Sequence, residues 1–194
     1  MNTRPSLRLI AAVAILGIGP IAFAPGSAQA ASKDALRAEV RKAADQTLQR
    51  LYELQPGAKQ AIQKAAGYAA FSNFGMKILL AGGGKGEGIA VNNRTKQETF
   101  MKMVEVQAGL GFGIKKFRLV WVFETPAAFD RFVSSGWELG AQATAAAQLG
   151  GQGAWAAGAM PISQGVWLYQ LTDDGLALEL TAKGTKYYKD DKLN

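Results

Sequence analysis

From residue 32 to residue 66 the apolar positions recur with the period of a helix. Leu36, Val40, Ala43, Thr47 and Leu51 return at steps of three to four, while Arg37, Arg41, Lys42, Asp45 and Gln49 take the opposite side. Ser32 is placed to cap a helix that starts near Lys33. Pro56-Gly57 interrupts the pattern. A second, shorter helix is predicted over Ala58–Ala66, with Ala58, Ile62 and Ala65 inward and Gly67 just past its end.

After Gly67 the period shortens to that of strands. Tyr68–Phe71, Met76–Leu80, Thr99–Val106 and Phe117–Phe123 read as extended segments, the last dense in β-branched and aromatic residues. Asn92–Lys96 reads as a turn. Thr125-Pro126 announces one more helix, with Thr as N-cap, Pro at the first helical position, Ala127, Phe129, Phe132 and Val133 inward, and Gly136 as its stop. Trp137–Gly140 returns to extended structure. Ala141–Ala159 is rich in small residues and reads as closely packed strand and turn. Gly165–Thr172 and Leu176–Thr181 flank Asp173-Asp174-Gly175 as a hairpin, and residues 183–194 read as a polar tail. Helices first, then strands with one inserted helix and no regular alternation, predict an α+β fold with a glycine-rich antiparallel sheet or barrel.

Two stretches of this strand region carry glycine at every second position. Gly82, Gly84, Gly86 and Gly88 share one parity, as do Gly109, Gly111 and Gly113. Alternate residues of a strand point to one face, so each stretch predicts a strip of sheet with a bare side open to close approach by backbone, ring or ligand. In the second strip Leu110, Phe112 and Ile114 fill the other face. Neither strip is a phosphate loop. Counting back from Gly84-Lys85 places Leu79 where a Walker A loop needs glycine, and Gly86 follows the lysine instead of Ser or Thr. The second strip lacks the dinucleotide spacing and a strand-to-helix setting.

The first thirty residues have the organisation of a secretory signal. Arg4 and Arg8 precede the apolar run Leu9–Ile18, Gly19-Pro20 breaks it, and Ala28-Gln29-Ala30 fits the small-x-small cleavage pattern. Cleavage is expected between Ala30 and Ala31, dividing the chain into a signal peptide (1–30), an N-terminal helix (31–57) and the glycine-rich domain (58–194). Export and the absence of cysteine favour a bacterial periplasm, or secretion, over an oxidising animal cell surface.

The 194 residues contain no His and no Cys. Ser-His-Asp and Cys-His nucleophiles, and zinc sites built on His or Cys, are thereby excluded. The carboxylates Glu87, Glu105, Glu124, Asp130, Glu138 and Glu179 are scattered without a catalytic spacing. No catalytic residue, metal site or cofactor is expected. The net charge is +7, of which Arg4 and Arg8 supply two. Export argues against nucleic acid as the partner of this charge, leaving anionic surfaces. Lys77, Lys85, Lys102, Lys115, Lys116 and Arg118 lie in or beside the glycine-rich strands. Lys77, Lys85, Lys115, Lys116 and Arg118 are the candidates for a lipid headgroup, with the glycines as points of close approach. Lysines that guard a sheet edge against aggregation are the alternative.

Several segments together resemble the SYLF domain family. They are Ala65–Gly75 with the following glycine run, Val120–Phe123 with Phe129-Asp-Arg-Phe132, Leu139–Ala147, Gly175–Leu180 and Tyr188–Asn194. The likeness covers Ala58–Asn194. Ser72, where many members have Pro, and Lys115-Lys116-Phe117 depart from it. The resemblance implies lipid or membrane binding, with actin binding in some eukaryotic members, and transfers no contact residue position by position. The expectation is a non-enzymatic envelope protein that binds anionic lipid. A structural or interaction module with another envelope protein as partner is the alternative.

Overall fold

The computed structural model describes residues 25–74, 82–107, 117–139, 158–173, 175–177 and 185–194. Helix α1 (Pro25–Leu54) and helix α2 (Pro56–Lys64) precede strands β1 (Gly67–Phe74), β2 (Gly82–Asn92), β3 (Glu98–Gln107) and β4 (Arg118–Phe123). Helix α3 (Pro126–Ser135) leads to β5 (Trp137–Leu139), β6 (Met160–Ser163), β7 (Val166–Thr172), β8 (Gly175–Ala177) and β9 (Thr185–Lys189). The predicted extended segment Met76–Leu80, the second glycine strip and residues 141–157 lie outside the described residues.

The described strands form one sheet, in the order β5-β9-β3-β2-β1-β4-β7-β6 with β8 on β7, and all pairs are antiparallel. It curls into a half-barrel. Tyr187 on β9 and Trp121 on β4 are separated by three intervening strands, which in a flat sheet would put them about 19 Å apart. Their ring centroids are 4.9 Å apart, and Trp137 on β5 lies 6.0 Å from the same Trp121.

The curl divides the core in two. On the concave side Phe71, Met101, Met103, Leu119, Trp121, Phe123 and Tyr187 pack around Phe129 and Phe132 of α3. On the convex side Ala70, Ile89, Phe100, Val120 and Val122 pack beneath Val40, Ala44, Leu48 and Leu51 of α1 and Ala58 and Ile62 of α2. Strand β4 feeds both cores, which is why it reads as an unbroken apolar run.

Helix α3 forms as its local signals require. The Ala128 N–H donates to Thr125 Oγ1 at 3.3 Å, Pro126 opens the helix and Gly136 ends it at φ 73°. Its packed side uses Ala128 beside Phe129 and Phe132, whereas Ala127 is exposed. The hairpin also forms, with Thr172 paired to Gly175 across a two-residue connection.

Four further expectations are corrected. Helix α1 starts at Pro25, ahead of Lys33. Of its expected inward positions Val40, Thr47 and Leu51 are buried, joined by Ala44 and Leu48, while Ala43 is half-buried and Leu36 is 46% exposed. Gly67 does not follow the end of α2. Ala65 is already extended, and Gly67 opens β1 against the Phe129 ring and the Val91 carbonyl, leaving no space for a Cβ. The supposed polar tail is structural. Strand β9 inserts between β3 and β5, and beyond it Asp190 and Leu193 are buried. There the Asn194 side-chain amide continues the ladder in place of a strand. Its Oδ1 accepts from Phe100 N–H at 3.0 Å, and its Nδ2 donates to the carbonyls of Phe100 at 2.8 Å and Asp190 at 2.7 Å.

Candidate functional site

The first glycine strip is strand β2. Gly88 lies opposite Phe71 on β1 and Met101 on β3, and Gly86 lies opposite Asn73 and Met103. Both glycines are buried. A Cβ on Gly88 would overlap the Phe71 ring and sit 2.5 Å from the Ala70 carbonyl oxygen. One on Gly86 would lie 2.7 Å from Met103 Cγ. At these two positions the bare face is therefore filled from within, by side chains of the concave core. Gly82 and Gly84, paired with Gln107 and Glu105, fall on the same face by alternation. Gly109, Gly111 and Gly113 lie outside the described residues.

The opposite parity of β2 points to the convex face, where Lys85 and Glu87 are exposed. The register extends these positions into two cross-strand rows. One runs Arg118, Ser72, Glu87, Lys102, Tyr188. The next runs Phe74, Lys85, Val104, Lys186, Glu138. The neighbouring row of Val120, Ala70, Ile89 and Phe100 belongs to the helix-covered core. The same sheet face thus turns from buried and apolar to more open and polar within one residue pair along β1, β2, β3 and β4.

Of the candidate cations, Lys85 and Arg118 stand on this face in adjacent rows, separated by β1. Both are exposed, and among the described residues neither forms an ion pair. Lys102 is tied to buried Asp190 at 2.8 Å, and Lys186 pairs with Glu138 at 3.0 Å. Lys77, Lys115 and Lys116 lie outside the described residues. Lys186 was not anticipated. Its only signal in the sequence is alternation within Thr185–Lys189, where Thr185 and Tyr187 are buried and Lys186 and Tyr188 exposed.

The carboxylate Glu124 accepts from the Trp167 indole N–H at 2.9 Å, a structural use. Under the helices, burial pushes the Tyr169 phenol up to about 12. Burial, then Tyr52, Asp45 and Glu98, does the same to Tyr68. Both phenols stay protonated at neutral pH.

Comparison with known proteins gives two matches. Residues 104–194 match the Ysc84 family, described as Las17-binding protein actin regulator. Beta cell expansion factor A of Aeromonas veronii is 35% identical over 157 residues, 81% of this chain. The chain spans 58% of that relative's length. The motifs at Val120–Phe123, Leu139–Ala147 and Tyr188–Asn194 fall within the matched region, and the family is one of binding domains linked to lipid and actin. The chain belongs to the SYLF (Ysc84) domain family.

Proposed function

We propose that this protein is a non-enzymatic component of the cell envelope that binds anionic lipid surfaces through the uncovered rows of its convex sheet face. One observation carries the reading: Lys85 and Arg118 stand exposed and without an ion-pair partner among the described residues, on a face that no described helix covers. Unpaired cations on a rigid sheet meet lipid phosphates without first breaking a salt bridge, and each contributes about 1 kcal/mol near an anionic membrane. The lipid association of the family and the net charge of +7 support the same reading. Removal of residues 1–30 on export leaves α1 from Ala31 onward and keeps its buried stripe from Val40 intact.

Co-sedimentation with phosphatidylglycerol vesicles at low salt tests the proposal. The wild type is expected to sediment, Lys85→Glu/Arg118→Glu to remain in the supernatant, and Lys59→Glu on α2 to behave as wild type. Equal sedimentation of all three, or none of any, would overturn it. N-terminal sequencing of exported protein tests the cleavage after Ala30. A second reading, an interaction module without a lipid ligand, draws on Gly86 and Gly88. Their bare face is occupied by Met103 and Phe71, so at these positions the glycines are explained by packing alone.

A further inference from the structure

A second concentration of cations lies apart from the glycine strand. An open groove of about 540 Å³ runs between α1, the start of β3 and residues 189–194. Arg37 and Arg41 line it from the helix, Lys96 from the turn between β2 and β3 and Lys189 from β9, and Phe100 and Glu98 lie among them.

The two arginines are one helical turn apart, a spacing at which like charges repel. They nevertheless converge, with guanidinium carbons 5.7 and 5.1 Å from the centroid of the same Phe100 ring. Each is fixed through Nε: Arg37 donates to the Leu193 carbonyl at 2.7 Å, and Arg41 to Glu98 Oε2 at 2.8 Å. A guanidinium held over a ring and tied at Nε presents its remaining N–H groups in a set direction. Arg37 Nη1 reaches Asp34 at 3.3 Å, a pair whose carboxylate is 74% exposed. Among the described residues the Nη atoms of Arg41 have no partner, and Lys96 and Lys189 enter no ion pair. Lys33 donates to the main-chain oxygen of Asn194 at 2.8 Å, so that oxygen has its own cation. Lys96 also holds a left-handed backbone at φ 60°, where glycine or asparagine costs less. The turn fixes it there through its N–H to the Asn92 carbonyl at 2.8 Å.

We infer that this groove binds a phosphate-type oxyanion. Four cationic residues line the groove; Glu98 pairs with Arg41 and Asp34 with Arg37, which leaves the charges of Lys96 and Lys189. A carboxylate ligand, with one charge, would compensate only one of these two lysines. A phosphate monoester carries roughly −1.5 to −2 and three acceptor oxygens for the donors that remain. The inference is independent of lipid docking at Lys85 and Arg118. The anion has two possible sources, a lipid headgroup or a soluble phosphomonoester.

The test uses the full chain and two probes. Calorimetric titration with glycerol 3-phosphate, against chloride at matched ionic strength, reads the soluble source. Flotation with phosphatidic acid vesicles, against phosphatidylcholine, reads the headgroup. Lys96→Gln/Lys189→Gln replaces two exposed lysines and is expected to leave the unfolding midpoint unchanged while weakening binding at least tenfold. Arg41→Gln is expected to weaken it similarly, and Lys85→Glu/Arg118→Glu to leave glycerol 3-phosphate binding intact. Binding in either arm that the lysine pair weakens supports the site and names its source. The site is overturned if neither probe binds, or if binding is indifferent to both groove variants.

Discussion

At the scale of single residues, what a missing side chain leaves room for is decisive. A Cβ on Gly88 meets a ring edge and the fixed Ala70 carbonyl, whereas one on Gly86 mainly meets the flexible Met103 side chain. Gly88→Ala is therefore expected to cost about 3 kcal/mol and Gly86→Ala about 1 kcal/mol. Urea unfolding of the two variants checks the order. Tyr169 gives a prediction of opposite sign. Its hydroxyl is buried without a hydrogen-bond partner, and its pKa is raised from 10.0 to about 12. Below pH 10 the phenol is protonated in both the folded and unfolded chain. Between pH 10 and 12 the unfolded chain ionises while the folded one holds its proton, so stability falls as pH rises through that window. Tyr169→Phe should raise stability at neutral pH by about 1 kcal/mol and flatten the alkaline decline, as read by denaturation midpoints from pH 8 to 12.

At the scale of elements, legibility followed the distance over which each signal acts. Helix α3 was readable because Thr125, Pro126 and Gly136 act within its own span. The hairpin at 172–175 was readable because a tight turn sets its own register. Strand β9 was not. Thr185–Lys189 is short and lysine-rich, and its partners Met101–Glu105 lie 80 to 88 residues earlier. The alternation of the first glycine strip was legible from residue types, but which face would be filled, and by Phe71 and Met103, depends on cross-strand register that parity does not contain. The departures from the expected α1 stripe, at Leu36, Ala44 and Leu48, have the same cause. Its buried positions are chosen by where the curled sheet meets the helix, which leaves Leu36 outside. The polar segment beyond β9 earns its place through Asn194. Asn194→Ala removes hydrogen bonds to both sides of the Phe100 peptide edge and is expected to cost about 2 kcal/mol. Faster hydrogen exchange at the Phe100 amide, with the amides of β4 unchanged, would locate that loss at the sheet edge.

At the scale of the whole molecule, the half-barrel keeps two cores and two cationic regions on one framework. Lys85 and Arg118 occupy the open part of the convex face, and the arginines of α1 overhang the groove at its helix-covered end. Arg37 and Arg41 are tied at Nε, so the groove presents these two cations with little rearrangement. The packing of α1 also fixes when that framework can exist. Lys33 contacts a residue 161 positions away, and Arg37 one 156 positions away. The sheet likewise lacks β9 until residues 185–189 have been synthesised. A chain emerging from the ribosome thus cannot close its half-barrel until residues 185–194 have been made. Contacts of such sequence separation form slowly, so β3 keeps an unpaired edge for as long as β9 has yet to reach it.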